Sequence, residues 1–140
     1  MSAIYLDATP FCYAALYEGE RAAGASALLR DVVEGERAGI TSTHAIEEGI
    51  ARLERSVDGD FARSQFGRVL DFPNLTVAGV EARDSVRALR VGDRHPQLSA
   101  GNALHVAVMA ERGLSGIASA SQAFEDVSSV DRHPLSDFSG

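Results

Sequence analysis

The first apolar run of the chain, Ile4-Tyr5-Leu6, ends in a carboxylate at Asp7 and passes at once into Thr9-Pro10. A strand that gives way to a helix within so short a turn constrains the fold more than any other feature. Thr9 is a favoured capping residue, and Pro10 suits the first helical position. The segment therefore reads as a strand–helix unit with Asp7 at the C-terminal tip of the strand. In open α/β sheets that edge is where ligands sit. Taken alone, Asp7 reads either as a cap that neutralises the helix dipole or as a metal ligand.

The alternation continues along the chain. A helix is expected over Pro10 to Tyr17, and a second over Arg21 to Glu36 with Ala25, Leu28, Leu29, Val32 and Val33 on one face. Gly39-Ile40-Thr41 is a short strand leading into a helix from Thr43 to Ser56, which Asp58-Gly59-Asp60 breaks. Phe61 to Leu70 is helical, Leu75 to Ala78 a strand, and Glu81 to Arg90 a helix with Val86 and Leu89 inward. Val91 to Leu98 reads as a polar loop. Ser99 then starts a helix whose residues Ala103 to Ala110 are apolar on nearly every side, which makes it central. Gly113 ends it. Gly116 to Ser119 is a strand, Gln122–Asp126 a short helix, and the tail through His133-Pro134-Leu135 adds an edge strand. Short strands alternating with helices imply parallel pairing. The expected class is α/β: a three-layer α/β/α sandwich around a central, mainly parallel sheet of about four or five short strands, in one domain over residues 1–140.

Composition narrows the function. The formal net charge is −7, and every one of the 13 basic residues is Arg. An acidic chain does not attract nucleic acid over its whole surface, so RNA contact has to come through a local basic patch or a metal. No apolar run reaches about 18 residues, and no signal peptide is evident at the N-terminus. Cys12, the single cysteine, cannot form an internal disulfide and reads as a small core residue, which fits a reducing, cytoplasmic setting. The four histidines lack close ligand spacing. His105 reads as a packed polar residue of the central helix, and His95 with Arg94 as part of a solvated loop. No nucleophile elbow, P-loop or dinucleotide fingerprint is present.

Four blocks in order resemble the PIN domain, and within it the VapC-like toxin ribonucleases: Ile4-Tyr5-Leu6-Asp7-Ala8-Thr9, Thr41-Ser42-Thr43-His44-Ala45-Ile46-Glu47-Glu48, Leu98-Ser99-Ala100-Gly101-Asn102-Ala103-Leu104-His105, and Ile117-Ala118-Ser119-Ala120-Ser121-Gln122-Ala123-Phe124. The likeness spans nearly the whole chain. It places the family's four acidic positions at Asp7, Glu48, Asn102 and Ser121, so that two of the four are no longer acidic. The resemblance implies a Mg²⁺- or Mn²⁺-dependent endoribonuclease with these four as its catalytic set and Asp7, Glu48 and Asn102 as metal ligands. It also implies an RNA substrate, a cognate protein antitoxin, a homodimer and no membrane association.

Each position has a structural alternative. Glu48 can pair with Arg52 one helical turn on. Asn102 can return a hydrogen bond to the cap at Ser99. Ser121 is a preferred cap for the short helix that follows. Asp→Asn removes a full charge close to a dication, so weak metal affinity and low cleavage are expected. Glu125, four residues after Ser121, is a candidate substitute ligand. The other functional reading is a non-catalytic PIN-like module that binds RNA or a protein partner.

Overall fold

The computed structural model describes residues 3–139. The elements run β1 (Ile4–Leu6), α1 (Thr9–Leu16), α2 (Glu20–Val33), β2 (Gly39–Ser42), α3 (Thr43–Ser56), α4 (Gly59–Leu70), β3 (Leu75–Ala78), α5 (Ala82–Arg94), α6 (Ala100–Glu111), β4 (Gly116–Ala118) and β5 (Asp131–His133), with short 3₁₀ turns at Gln122–Asp126 and Leu135–Asp137. The strands form one five-stranded sheet in the order β3-β2-β1-β4-β5, and every pairing is parallel.

The two-residue period of the central strands divides the interior into two cores. Ile4 and Leu6 point to one side, where they join Phe11, Leu28, Val32, Leu53 and Phe66 from α1 to α4. Tyr5 and Ile117 point to the other, against Val106 and Met109 of α6. The sheet is thus sandwiched between helices, as the strand–helix alternation requires. The caps are local. Ser42 accepts from Ala45 N–H at 3.1 Å, Asp58 from Phe61 N–H at 2.8 Å, and Ser99 from Asn102 N–H at 3.1 Å. Gly113, at φ +66°, takes the left-handed turn that ends α6.

Three local expectations need correction. Thr9 is not the cap of α1 but its first residue; the capping position is Ala8, which makes no side-chain bond. The loop expected from Val91 is shorter, because α5 continues to Arg94. Val86 and Leu89 face outward, at 52% and 73% exposure. The inward face of α5 carries Asp84 instead, which is fully buried and paired with Arg112 at 3.1 Å. Arg112 also donates to the Gly79 carbonyl at 3.0 Å. A buried charge with a partner of this kind sets the rotation of the helix, and the apolar pair is left on the far side.

Candidate functional site

β1 lies in the middle of the sheet, and the chain leaves it in one direction to β2 and β3 before returning on the other side at β4. The strand order therefore switches between β1 and β4, the place where open α/β sheets bind ligands. Asp7 emerges from β1 here and Ser119 from β4. A cavity of about 460 Å³ opens at this edge, and Asp7, Glu48, Asn102 and Ser121 all line it, together with His44 and Arg52. Four elements far apart in sequence thus place the four acidic-position residues around one space.

Asp7 is almost fully buried, at 3% exposure. Both of its oxygens are engaged. Oδ1 accepts from the Thr9 N–H at 2.9 Å and the Thr9 hydroxyl at 2.6 Å, while Oδ2 accepts from the Ser119 hydroxyl. Thr9 Oγ1 in turn accepts from the Ala120 N–H at 2.9 Å, which fixes the β4 loop against the start of α1. Asp7 therefore organises the helix start as well as lining the cavity.

Glu48 does not pair with Arg52. Its Oε1 is 2.6 Å from His105 Nε2 and its Oε2 3.5 Å from His44 Nε2. Partial burial opposes ionisation of Glu48, but the hydrogen bond from His105 and the charges of His105 and His44 outweigh it and hold its carboxyl below the usual range. Arg52 instead donates to the Tyr17 hydroxyl at 3.2 Å and lies over the rings of Tyr13 and Tyr17.

The Asn102 side chain makes no hydrogen bond among the described residues; its backbone N–H serves the Ser99 cap. Ser121 both faces the cavity and caps the following 3₁₀ turn, accepting from the Ala123 N–H at 3.4 Å. Glu125 does not reach the cleft. It is exposed and paired with Arg132 at 2.6 Å.

Two of the four histidines, His44 and His105, which sequence spacing does not connect, converge. One donor atom each from His44, Glu48 and His105 lie within 4.8 Å of one another. His105 is buried and is held from behind by the Tyr5 hydroxyl, 2.7 Å from Nδ1, and that hydroxyl is 2.8 Å from Ser42 Oγ. Burial pushes the Tyr5 hydroxyl well above its ordinary pKa, so it stays protonated. Gly101 gives this group its room, because a Cβ there would stand 2.7 Å from Glu48 Oε2. The signals that point to this cluster in sequence are weak. His44 and Glu48 are one turn apart, and His105 follows Asn102 by three. Cys12 is fully buried with its thiol pushed up to about 11, as befits a core residue.

No protein-family model matches the sequence, and no curated protein matches it. Solved structures do match the fold. VapC20 from Mycobacterium tuberculosis, described as a sarcin-ricin loop cleaving toxin, is 20% identical over 82% of this chain and 87% of its own, with a TM-score of 0.68. VapBC2 from Rickettsia felis, bound to a DNA fragment from its promoter, is 10% identical over 95% of this chain and 98% of its own, at 0.73. FitAcB from Neisseria gonorrhoeae is 13% identical over 94% and 97%, at 0.67. The chain has a PIN-domain fold of the VapC type.

Proposed function

We propose that this chain is a VapC-like PIN-domain toxin, a divalent-metal-dependent endoribonuclease attenuated by the neutral residues Asn102 and Ser121. The observation that carries the reading is the meeting of Asp7, Glu48, Asn102 and Ser121 around one cavity at the strand-order switch. The donor set suits one cation better than two. Glu48, Asp7 and the Asn102 carbonyl would hold it, with water and substrate phosphate completing the shell, as is usual for Mg²⁺ and Mn²⁺. Such an ion polarises a phosphodiester and lowers the pKa of a bound water.

The chain's own residues supply the rest. Arg52, set by Tyr13 and Tyr17, and Arg55 bring positive charge to a wall otherwise rich in carboxylates, which suits the phosphodiester backbone of RNA. Glu48, kept ionised by its histidine neighbours, offers the divalent cation a full negative charge. An apolar groove lined by Ile46, Ile50, Leu70 and Val77 shares Glu47 and Ala51 with the cavity wall. That adjacency supports a protein antitoxin lying across α3 and reaching the site, and the outer helix faces suit a homodimer. A cytoplasmic setting goes with this role.

The second reading, a non-catalytic binding module, draws on the three hydrogen-bond donors that already engage Asp7. One comparison separates the two: Mn²⁺-dependent cleavage of RNA by the chain, by Asn102→Asp and by Asp7→Ala. Weak cleavage that rises in Asn102→Asp and vanishes in Asp7→Ala is the expected result. Cleavage by neither the chain nor Asn102→Asp refutes the nuclease and leaves the binding module.

A further inference from the structure

We propose that His44, Glu48 and His105 form a mixed nitrogen–oxygen site that takes a transition-metal dication of the Zn²⁺ type in preference to Mg²⁺. The proposal shares the cavity and Glu48 with the preceding reading, but its other two ligands, His44 and His105, lie outside the four acidic positions. Its donor atoms lie within 4.8 Å of one another, close enough for small side-chain shifts to bring them round one ion. Two imidazoles and one carboxylate make a three-ligand set known for zinc sites that keep a fourth position open. Imidazole favours Zn²⁺ and its neighbours, whereas Mg²⁺ favours oxygen alone.

The surroundings fit this role. Metal-bound histidine is commonly oriented by a hydrogen bond at its other ring nitrogen. The Tyr5 hydroxyl stands 2.7 Å from His105 Nδ1 and 2.8 Å from Ser42 Oγ, which already accepts from the Ala45 N–H. A His105 tautomer with its proton on Nδ1 donates to Tyr5, and Tyr5 donates to Ser42. Nε2 then turns a lone pair toward Glu48 Oε1 at 2.6 Å. Two acceptors at that distance need a proton or a cation between them. Without a metal, the other tautomer supplies the proton. With one, Nε2 and Oε1 would part to about 3.3 Å, the separation of two tetrahedral ligands each about 2.0 Å from the ion. His44, on the same face of α3 as Glu48, is partly open to the cavity at 18% side-chain exposure; its Nε2 stands 3.1 Å from the Gly101 carbonyl, to which it can only donate, so metal binding there exchanges that hydrogen bond for the ion. The missing side chain of Gly101 leaves the Glu48 carboxylate space to reach both rings.

The test is titration of the chelator-stripped full chain with Co²⁺, read by its visible absorption, then displacement by Zn²⁺ and by Mg²⁺. A saturable band that Zn²⁺ removes at equimolar concentration and Mg²⁺ does not is expected. His44→Gln and Tyr5→Phe, each checked for native circular dichroism, should weaken Co²⁺ binding by about 10- to 100-fold. His44→Gln keeps the proposal testable if the buried Tyr5 variant fails to fold. No saturable band, or binding unchanged in folded His44→Gln, overturns the site. Absence of a saturable band alongside RNA cleavage that needs Mg²⁺ overturns the site yet leaves the nuclease reading intact. Tight Co²⁺ binding with no cleavage by the chain or by Asn102→Asp sustains the site and removes the nuclease.

Discussion

Replacing Asp7 separates its structural from its chemical role. Three donors converge on its carboxylate: the Thr9 N–H, the Thr9 hydroxyl and the Ser119 hydroxyl. At a net value of about 1 kcal/mol per hydrogen bond, their loss in Asp7→Ala amounts to about 3 kcal/mol. Asp7→Asn keeps an oxygen for both Thr9 donors and turns an amide N–H₂ toward Ser119. Ser119 Oγ already accepts from the Ser121 N–H at 3.0 Å and has a second lone pair for it, so the loss falls to about 1 kcal/mol. Both variants remove the buried charge, so the difference between them isolates the Thr9 bonds. Asp7→Asn should therefore be about 2 kcal/mol more stable than Asp7→Ala, measured by urea unfolding with circular dichroism and linear extrapolation. In thermal melts the gap is on the order of 5–10 °C. Metal-dependent cleavage should be lost in both. Equal stabilities would refute the hydrogen-bond account, and wild-type cleavage by Asp7→Asn would reduce Asp7 to a helix-start organiser.

Other perturbations test neighbouring claims. In Gly101→Ala the new Cβ would crowd Glu48 Oε2, so cation binding by calorimetry should weaken while unfolding free energy stays within about 1 kcal/mol of the parent. Gly49→Ala would place a Cβ 2.2 Å from Phe66 Cζ, a buried ring that cannot retreat to solvent, and chemical denaturation should show a loss of about 1–3 kcal/mol. Glu48 has a folded-state pKa below its ordinary value of 4.5, so its contribution is present above that pH and is lost as pH falls through the folded value. Glu48→Gln should accordingly flatten the stability–pH curve below about pH 4.5, whereas a parent curve with no acid-side decline attributable to Glu48 would contradict its pairing with the histidines.

Much of the architecture was legible in residues near one another in sequence. Ile4-Tyr5-Leu6 followed by Thr9-Pro10 dictated a strand that turns into a helix, and repetition of that unit dictated parallel pairing. Ser99 caps α6 as expected, because its side chain has only to reach three residues ahead, whereas the cap expected at Thr9 falls on Ala8. Four separated blocks placed Asp7, Glu48, Asn102 and Ser121 as candidates, and the fold brings these to one cavity. The inferences about strands and helices succeed because backbone propensity and capping act over a few residues.

Tertiary structure alone decided what each side chain touches. The rotation of α5 follows from Asp84 meeting Arg112, 28 positions on, and that pairing left Val86 and Leu89 outward against the expectation from hydrophobic pattern. Glu48 chose His105, 57 positions away, over Arg52 one turn along its own helix. Tyr5 meets His105 across 100 positions, and Ser119 meets Asp7 across 112. Such pairings leave no periodic trace, because burial and the desolvation cost of unpaired polar groups select them only after the layers have closed.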